Sequence, residues 1–316
     1  MAIPVLGHDV VLAAVPPAAA IERTREAFLH HHRGEWTMPS KVYLQSPPHG
    51  DFRAMPALGG GFAMLKWISS FPPNPARGLP TVLGVVVLSD AETSAPLAIL
   101  DARSVTALRT GAVAAVAAQA LARPDARTAG VVGAGHNGAW TARCMAAGGY
   151  DAGVVTDARA EAAQTLAAEL GDGWRAGSRA EALACDVVCC VTPGAEPVVG
   201  GADLRPGLHL TMLGADGPGK AEATVDAVAG CELFCDEWAQ ASHGGELSGA
   251  VEAGRVRRED VTDLGAVLAG DAPGRRGAEA VTLFDSTGLA IQDLAIAIAA
   301  YAAWRTGAVQ APSVEL

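Results

Sequence analysis

The chain has 316 residues, and its 34 acidic against 23 basic side chains give a formal net charge of −11 at pH 7. This length suits two domains, and the acidic balance excludes a nucleic-acid partner, because phosphate binding needs a basic surface. The N-terminus lacks a signal-peptide pattern, and the longest apolar segments carry polar interruptions, so we predict a cytoplasmic protein without a membrane span. The six cysteines lack zinc spacing, and no metal is predicted.

The N-terminal third is predicted to be rich in β-structure. It begins with an amphipathic helix over residues 18–33. Short apolar strands then alternate with Pro and Gly turns over residues 41–87. A further strand is predicted over residues 96–101, and an Ala-rich helix over residues 104–122.

Strands and helices alternate through the rest of the chain. The predicted elements are strands 128–132, 153–156, 186–192, 208–213 and 282–284, and helices 139–147, 160–170 and 288–304. Such alternation predicts an α/β fold with a doubly wound parallel sheet of the Rossmann type. The last helix is expected to pack back on the first, β-rich domain.

Residues 128–138, TAGVVGAGHNG, join an apolar strand to a helix through a Gly-x-Gly-x-x-Gly turn. Gly133 allows the tight turn, Gly135 lets backbone N–H groups approach a pyrophosphate, and Gly138 lets the helix pack closely. Asp157 follows the next strand, where a carboxylate accepts hydrogen bonds from ribose hydroxyls and repels a 2′-phosphate. We predict an NAD site, with NADP left open by a nearby arginine. A helix N-cap is the alternative for Asp157.

Cationic side chains in the β-rich segment are candidates for binding an anionic substrate. Lys66 has apolar neighbours, and burial would lower the pKa of its amine towards neutrality; a lysine at a strand edge is the alternative. Arg53 and Arg109 offer guanidinium groups suited to a carboxylate or to an internal Asp. Asp216 follows a predicted strand of the parallel sheet, where ligands bind, or else supports a Gly-Pro-Gly turn.

The motifs DFRAMPAL, LKW, NPARGLPTVLG, LRTGA, GAGHNG, GADGPGK, SHGGE and FDSTGLAIQD resemble, in order and spacing, those of the ornithine cyclodeaminase/μ-crystallin family. The resemblance covers residues 39–293 and is strongest to the archaeal-type alanine dehydrogenases of that family. It implies a homodimer, with a β-rich substrate-binding and dimerisation domain over residues 1–113 and 290–316. It also implies a Rossmann domain over residues 114–289 that binds NAD(H), and a cleft that holds the substrate.

The resemblance also implies roles for single residues. Asp216 and Lys66 would be the catalytic acid–base groups, and Arg53, Arg109 and Lys41 would bind the substrate. The implied cofactor-binding residues are Thr110, Gly133, Gly135, His136, Asn137, Gly138, Asp157, Thr192, Gly214, Ser286 and Gly288.

Two positions depart from the pattern of the family. Many members have Gln-Ala in place of Asn137-Gly138, which changes the loop only slightly. Cyclodeaminase-like members often have an arginine in place of Lys41. A lysine cannot form the two parallel hydrogen bonds that an arginine forms with a carboxylate. This difference from the cyclodeaminase-like members disfavours ornithine as the substrate.

The predicted activity is NAD-dependent chemistry at the Cα–N bond of a small L-amino acid. In an alanine dehydrogenase-like reaction, pyruvate, ammonia and NADH give alanine reversibly. The first alternative is conversion of ornithine to proline with release of ammonia. The others are reduction of a ketimine or opine-type imine, and a non-enzymatic binding role like that of μ-crystallin.

Overall fold

The computed structural model describes residues 2–194, 196–217 and 219–315. The chain divides into two compact units. Unit 1 contains Met1–Arg109 and Leu289–Leu316, and unit 2 contains Thr110–Gly288. The functional roles assigned above to the two parts of the chain remain predictions.

Unit 1 is built on a mixed, mainly antiparallel sheet. Its strands are β1 (Ala2–Leu6), β2 (Val42–Ser46), β3 (Gly50–Gly59), β4 (Phe62–Ser70), β5 (Val82–Asp90), β6 (Pro96–Asp101) and β15 (Ser313–Glu315). Their order in the sheet is β15-β1-β6-β5-β4-β3-β2. The predicted strands β2 to β6 are confirmed, whereas β1 and β15 were not predicted.

One face of this sheet is covered by helices. The helices of unit 1 are α1 (His8–Ala14), α2 (Pro17–His32), the first part of α3 (Ala102–Leu121) and α11 (Ala290–Arg305). Helix α11 packs against α2, β3, β4 and β5, which confirms that the last helix returns to the first part of the chain. Side chains at alternate positions of β3 to β5, such as Met55, Met64 and Val86, are buried on this inner face.

Helix α3 is long and apolar enough to cross a membrane by length and composition alone. However, 83% of its most apolar window is buried inside the protein, as in the core helix of a globular protein. Its first turn is capped by Asp101, whose carboxylate accepts hydrogen bonds from the Ser104 N–H group (2.7 Å) and hydroxyl (2.8 Å).

Unit 2 is a parallel sheet of the doubly wound type, as predicted. Its strands are β7 (Thr128–Val132), β8 (Ala152–Thr156), β9 (Trp174–Ala176), β10 (Val187–Cys190), β11 (His209–Met212), β12 (Glu232–Cys235), β13 (Val261–Asp263) and β14 (Thr282–Asp285). Their order is β13-β12-β14-β11-β10-β7-β8-β9. The chain runs outward from β7 to β9 and then returns to β10 on the other side of β7. The topological switch point, where such sheets bind ligands, therefore lies between β7 and β10.

The helices of unit 2 differ from prediction at one important boundary. They are α4 (His136–Ala147), α5 (Ala160–Leu170), α6 (Arg179–Leu183), α7 (Val225–Ala229), α8 (Trp238–Gly244), α9 (Ser248–Glu252) and α10 (Leu264–Ala269). The predicted start of α4 at Ala139 is wrong, because Gly135 is already the N-cap, with φ −71° and ψ −171°. The strands β9, β12 and β13 and the helices α6 to α10 were not predicted, since each is too short to show a clear hydrophobic period.

Candidate functional site

The loop that joins β7 to α4 is held open by its glycines. Gly133 has a φ of 109°, and a Cβ atom there would lie 2.5 Å from the Val191 carbonyl oxygen. A Cβ atom on Gly138 would lie 1.9 Å from the Gly133 oxygen, whereas one on Gly135 would meet nothing within 4 Å. The N-terminus of α4 has no side-chain cap. Open space beside uncapped N–H groups fits a pyrophosphate.

Asp157 lies beside this loop, directly after β8. Its carboxylate accepts hydrogen bonds from the Ala134 N–H group (2.7 Å) and the Arg159 N–H group (2.8 Å). The N-cap of α5 is Arg159, so the alternative assignment of Asp157 as the N-cap is wrong. The carboxylate is instead fixed at the carboxyl ends of β7 and β8, where a Rossmann domain holds the adenosine ribose.

Glu222 is a buried carboxylate of unit 2 that the sequence analysis missed. It accepts hydrogen bonds from the N–H groups of Thr192 (2.6 Å), Leu213 (3.1 Å) and Gly214 (2.7 Å). Its own N–H group donates to the Glu246 carboxylate at 2.9 Å. One side chain therefore joins the loops after β10 and β11, which carry the predicted cofactor residues Thr192 and Gly214.

Asp236, directly after β12, is a second buried carboxylate that binds loop groups at the ends of the strands, and the sequence analysis also missed it. Its carboxylate accepts hydrogen bonds from the Gly288 N–H group (2.8 Å), the Thr287 hydroxyl (2.9 Å) and the Ser286 hydroxyl (3.5 Å). These groups of the predicted cofactor residues Ser286 and Gly288 are thus engaged within unit 2. An acidic residue directly after a parallel strand is the signal that could have identified Asp236.

Three further predicted cofactor residues lie at helix positions of unit 2. Thr110 is the first residue of the unit, on α3, and is 3% exposed. Its hydroxyl has no hydrogen-bond partner among the residues that the structure describes. His136 and Asn137 form the first turn of α4, and the Asn137 carbonyl accepts a hydrogen bond from the Thr141 hydroxyl (3.0 Å). The unpaired Thr110 hydroxyl destabilises the folded protein unless a ligand forms a hydrogen bond with it.

Asp216 lies in the loop that follows β11 in unit 2. Its carboxylate forms an ion pair with the Lys220 ammonium group at 2.7 Å, and each side chain is about one-third exposed. The carboxylate can therefore be reached by a ligand. Of the Gly-Pro-Gly turn considered for this segment, Pro218 lies outside the described residues.

Lys66 and Arg109, which the sequence analysis assigned to substrate and proton transfer, meet inside unit 1. They share the carboxylate of Asp293, which lies 2.6 Å from Lys66 Nζ and 3.4 Å from Arg109 Nε. Lys66 is 1% exposed and Asp293 is fully buried, so the strand-edge alternative for Lys66 is wrong. The Thr106 hydroxyl lies 3.4 Å from Lys66 Nζ. The sequence analysis assigned no role to Asp293.

Burial and neighbouring charges lower the pKa of Lys66 to about 7. Burial is the largest cause, since it removes water from the ammonium group. The cationic groups of Arg109 and Lys41 lower the pKa further, whereas Asp293 opposes them by charge and by hydrogen bonding. Lys66 can therefore gain or lose a proton at neutral pH.

Arg53 lies on the same face of the sheet as Lys66. In the register of β3 and β4, Met55 is opposite Lys66 and Arg53 is opposite Ile68, so Arg53 and Lys66 are diagonal neighbours. Its Nε atom donates to the Asp51 carboxylate at 2.6 Å, and its guanidinium group lies over the Tyr43 ring. Unit 1 thus gathers the predicted residues Lys41, Arg53, Lys66 and Arg109, while Asp216 belongs to unit 2.

The sequence matches the ornithine cyclodeaminase/mu-crystallin family over residues 8–308. The chain belongs to this family. The match confirms the resemblance drawn from the motifs, and it confirms the predicted class of enzyme, an NAD(P)-dependent amino acid dehydrogenase or cyclodeaminase.

The chain is similar over nearly its whole length to several individual members of the family. The alanine dehydrogenase of Archaeoglobus fulgidus is 40% identical over 303 residues, which is 94% of each chain. A solved archaeal alanine dehydrogenase dimer with bound NAD has a TM-score of 0.94 and 37% identity, with complete coverage of both chains. The iminosuccinate reductase of Paracoccus denitrificans is 33% identical over 93% of this chain and 94% of its own, and its NAD⁺ complex has a TM-score of 0.90. The α/β fold class is thereby confirmed.

Proposed function

We propose that the protein is an NAD-dependent dehydrogenase of a small L-amino acid with an uncharged side chain, of the alanine dehydrogenase type. The reaction converts the amino acid, NAD⁺ and water to the keto acid, ammonium, NADH and a proton, and it is reversible. The observation that carries this proposal is the group formed by Lys66, Arg109 and Asp293, because it combines cations suited to a carboxylate with a titratable amine.

The residues of unit 2 fit the NAD cofactor. The open side of Gly135 and the N–H groups of α4 would hold the pyrophosphate, and Asp157 would accept hydrogen bonds from the ribose hydroxyls. The unpartnered hydroxyl of Thr110 offers a further polar contact. When bound, the nicotinamide ring accepts or donates the hydride at C4.

The cations of unit 1 would hold the substrate. Arg109 and the protonated form of Lys66 share a single carboxylate, which leaves net positive charge for the substrate carboxylate. The substrate amine must be neutral before hydride leaves the α-carbon. Lys66, with a pKa of about 7, and Asp216 are the groups that would take this proton, directly or through water.

The two acids that lie beside the cations of this group argue against a diamino acid such as ornithine. The Asp51 carboxylate is bound by Arg53, and the Asp293 carboxylate is bound by Lys66 and Arg109. Neither is left to pair with a second, cationic substrate amine. A small neutral side chain is therefore favoured, in agreement with Lys41 at a position where cyclodeaminases often have arginine.

A coupled assay tests the proposed reaction. The purified protein is supplied with pyruvate, ammonium and NADH, and the loss of NADH absorbance is followed, with a control that omits ammonium. We expect ammonium-dependent consumption of NADH. In a second reaction, ornithine and NAD⁺ are supplied and ammonia is measured. Release of ammonia without lasting NADH, together with no reaction of pyruvate, would contradict the proposal and indicate a cyclodeaminase.

We also propose a homodimer formed through the outer face of the unit 1 sheet. In an antiparallel sheet with one buried face, the other face is normally polar. Here the outer row across β2, β3, β4 and β5 is apolar: Val42, Ala54, Trp67 and Val85 lie opposite one another. Val42, Trp67 and Val85 are 59%, 38% and 45% exposed. A second copy would cover this surface, and the similar archaeal alanine dehydrogenase is itself a dimer.

The dimer is tested by a matched pair of substitutions. Val85→Glu places a carboxylate on the outer face and is expected to give a monomer in sedimentation analysis, because burying an unpaired charge costs on the order of 3 kcal/mol or more. Val314→Glu is the control, because Val314 is similarly exposed (40%) but lies on β15 at the far edge of the sheet. A dimer that persists in Val85→Glu would exclude this face as the interface.

We propose a cytoplasmic location as well. All six cysteines are free thiols, and five of them are buried. Free buried thiols are typical of a reducing compartment.

A further inference from the structure

Asp293 is the buried acid on which the two cations of unit 1 converge. It lies in the first turn of α11, and the positive end of the helix dipole there favours a carboxylate. Its two oxygen atoms divide between the cations: Oδ2 lies 2.6 Å from Lys66 Nζ, and Oδ1 lies 3.4 Å from Arg109 Nε. With no exposed surface, Asp293 has no water to replace these partners.

Lys66 is approached by charged groups from three other elements. Asp293 faces it from α11, Arg109 from α3, and Lys41 from the segment before β2. Of these three groups, Asp293 alone is negative. If its charge were absent, a fully buried ammonium group would stand beside two cations, an arrangement that costs far more than the neutral amine.

We propose that Asp293 is a positioning residue that holds the Lys66 ammonium and the Arg109 guanidinium groups in one fixed arrangement, and thereby sets the pH at which Lys66 exchanges its proton. The proposal rests on the proton-transfer role proposed above for Lys66. Asp293 itself need not touch the substrate, because both of its oxygens face the two cations. It would act only through Lys66 and Arg109.

The composition of the chain allows a direct measurement of Lys66. The sequence contains three lysines, Lys41, Lys66 and Lys220. Protein labelled with ¹³C at the lysine Cε position would therefore give three resonances, and Lys66→Met would identify the one from Lys66. The resonance of Lys220, which lies in unit 2, serves as an internal reference.

Asp293→Asn is expected to move the titration of the Lys66 resonance to lower pH by about 1–3 units, because it removes the opposing charge with little change of shape. The pH dependence of activity should shift with this titration. Oxidation of the amino acid needs neutral Lys66, so the acid limb of the kcat/KM profile should move to lower pH by the same amount. Reductive amination needs protonated Lys66, so its alkaline limb should also move to lower pH.

A second variant should move the titration of Lys66 in the opposite direction. Arg109→Gln removes a cation that lowers the pKa of Lys66, so the Lys66 resonance should titrate at higher pH, although substrate binding is also weakened. This variant keeps the proposal open to refutation if Asp293→Asn does not fold. A merely structural role for Asp293 would lower the thermal midpoint of Asp293→Asn without moving the titration of the Lys66 resonance.

The outcomes separate this proposal from the proposed function. A Lys66 resonance that titrates at the same pH in Asp293→Asn as in the unmodified protein would overturn the positioning role, whatever the activity. A shifted titration in a protein that shows no activity with pyruvate or alanine would support the positioning role and reject the function.

Discussion

Replacement of Asp216 by Asn is expected to lower kcat by about 10²–10⁴-fold, the usual contribution of a positioned acid–base group. The amide has nearly the same shape as the carboxylate but cannot exchange a proton in the physiological range. The carboxylate is about one-third exposed in the loop after β11, so a ligand can reach it. Turnover is measured with the substrate found in the NADH assay, and the affinity for NADH is measured by fluorescence. We expect NADH affinity to change little.

Lys220→Met provides the control for this substitution. It breaks the same 2.7 Å ion pair but leaves the Asp216 carboxylate in place. Partly exposed ion pairs contribute about 0–1 kcal/mol, so kcat should fall by less than about tenfold. If Asp216→Asn and Lys220→Met lowered kcat equally, the loss of activity would come from the broken ion pair and not from lost proton transfer. Full turnover in Asp216→Asn would exclude Asp216 as the acid–base group.

Gly135→Ala is expected to abolish tight binding of NAD(H) while the protein stays folded. The backbone at Gly135, with φ −71°, suits any residue, and a Cβ atom there meets nothing within 4 Å. In the proposed complex this space is needed for the pyrophosphate. Loss of its hydrogen bonds to the backbone would cost on the order of 2–3 kcal/mol, or roughly 30- to 150-fold in Kd. Kd is measured by NADH fluorescence, and the thermal midpoint is measured without cofactor.

Gly138→Ala should instead destabilise the protein itself, even without cofactor. The expectation that an alanine at position 138 changes the loop only slightly is wrong for this chain, because a Cβ atom there would lie 1.9 Å from the Gly133 oxygen, a backbone atom that cannot simply rotate away. The free energy of unfolding should fall by about 2–4 kcal/mol even without cofactor. Equal thermal midpoints for the two variants would contradict this assignment, and unchanged NADH affinity in Gly135→Ala would exclude the loop as the phosphate site.

The parts of the site that local sequence determines could be predicted. The glycine loop is one such part, because the positive φ of Gly133 and the close approach of Gly138 to the Gly133 oxygen arise within one strand, turn and helix. The burial of Lys66 is another, because Met64 and Ile68, two positions away on β4, are apolar and lie on the same inner face. Asp157 could likewise be placed after β8 by counting from the loop.

The partners of these residues could not be predicted in the same way. Asp293 and Lys66 are far apart in sequence, and nothing near Asp293 indicates which cation it meets. Glu222 binds N–H groups after two different strands, and this contact depends on the parallel order of β10 and β11. Long-range pairing of buried charges is decided by the tertiary fold, whereas periodicity and turn motifs describe only neighbours along the chain.

The carboxylates of Glu222 and Asp236 have a thermodynamic consequence for unit 2. Loops at the ends of parallel strands usually lose conformational freedom when a ligand orders them, and this loss weakens binding. Here, side-chain oxygens already fix the backbone of Thr192, Gly214 and Gly288. The entropy of these loops is lost when the chain folds, so the binding edge of the sheet is preorganised before a ligand arrives.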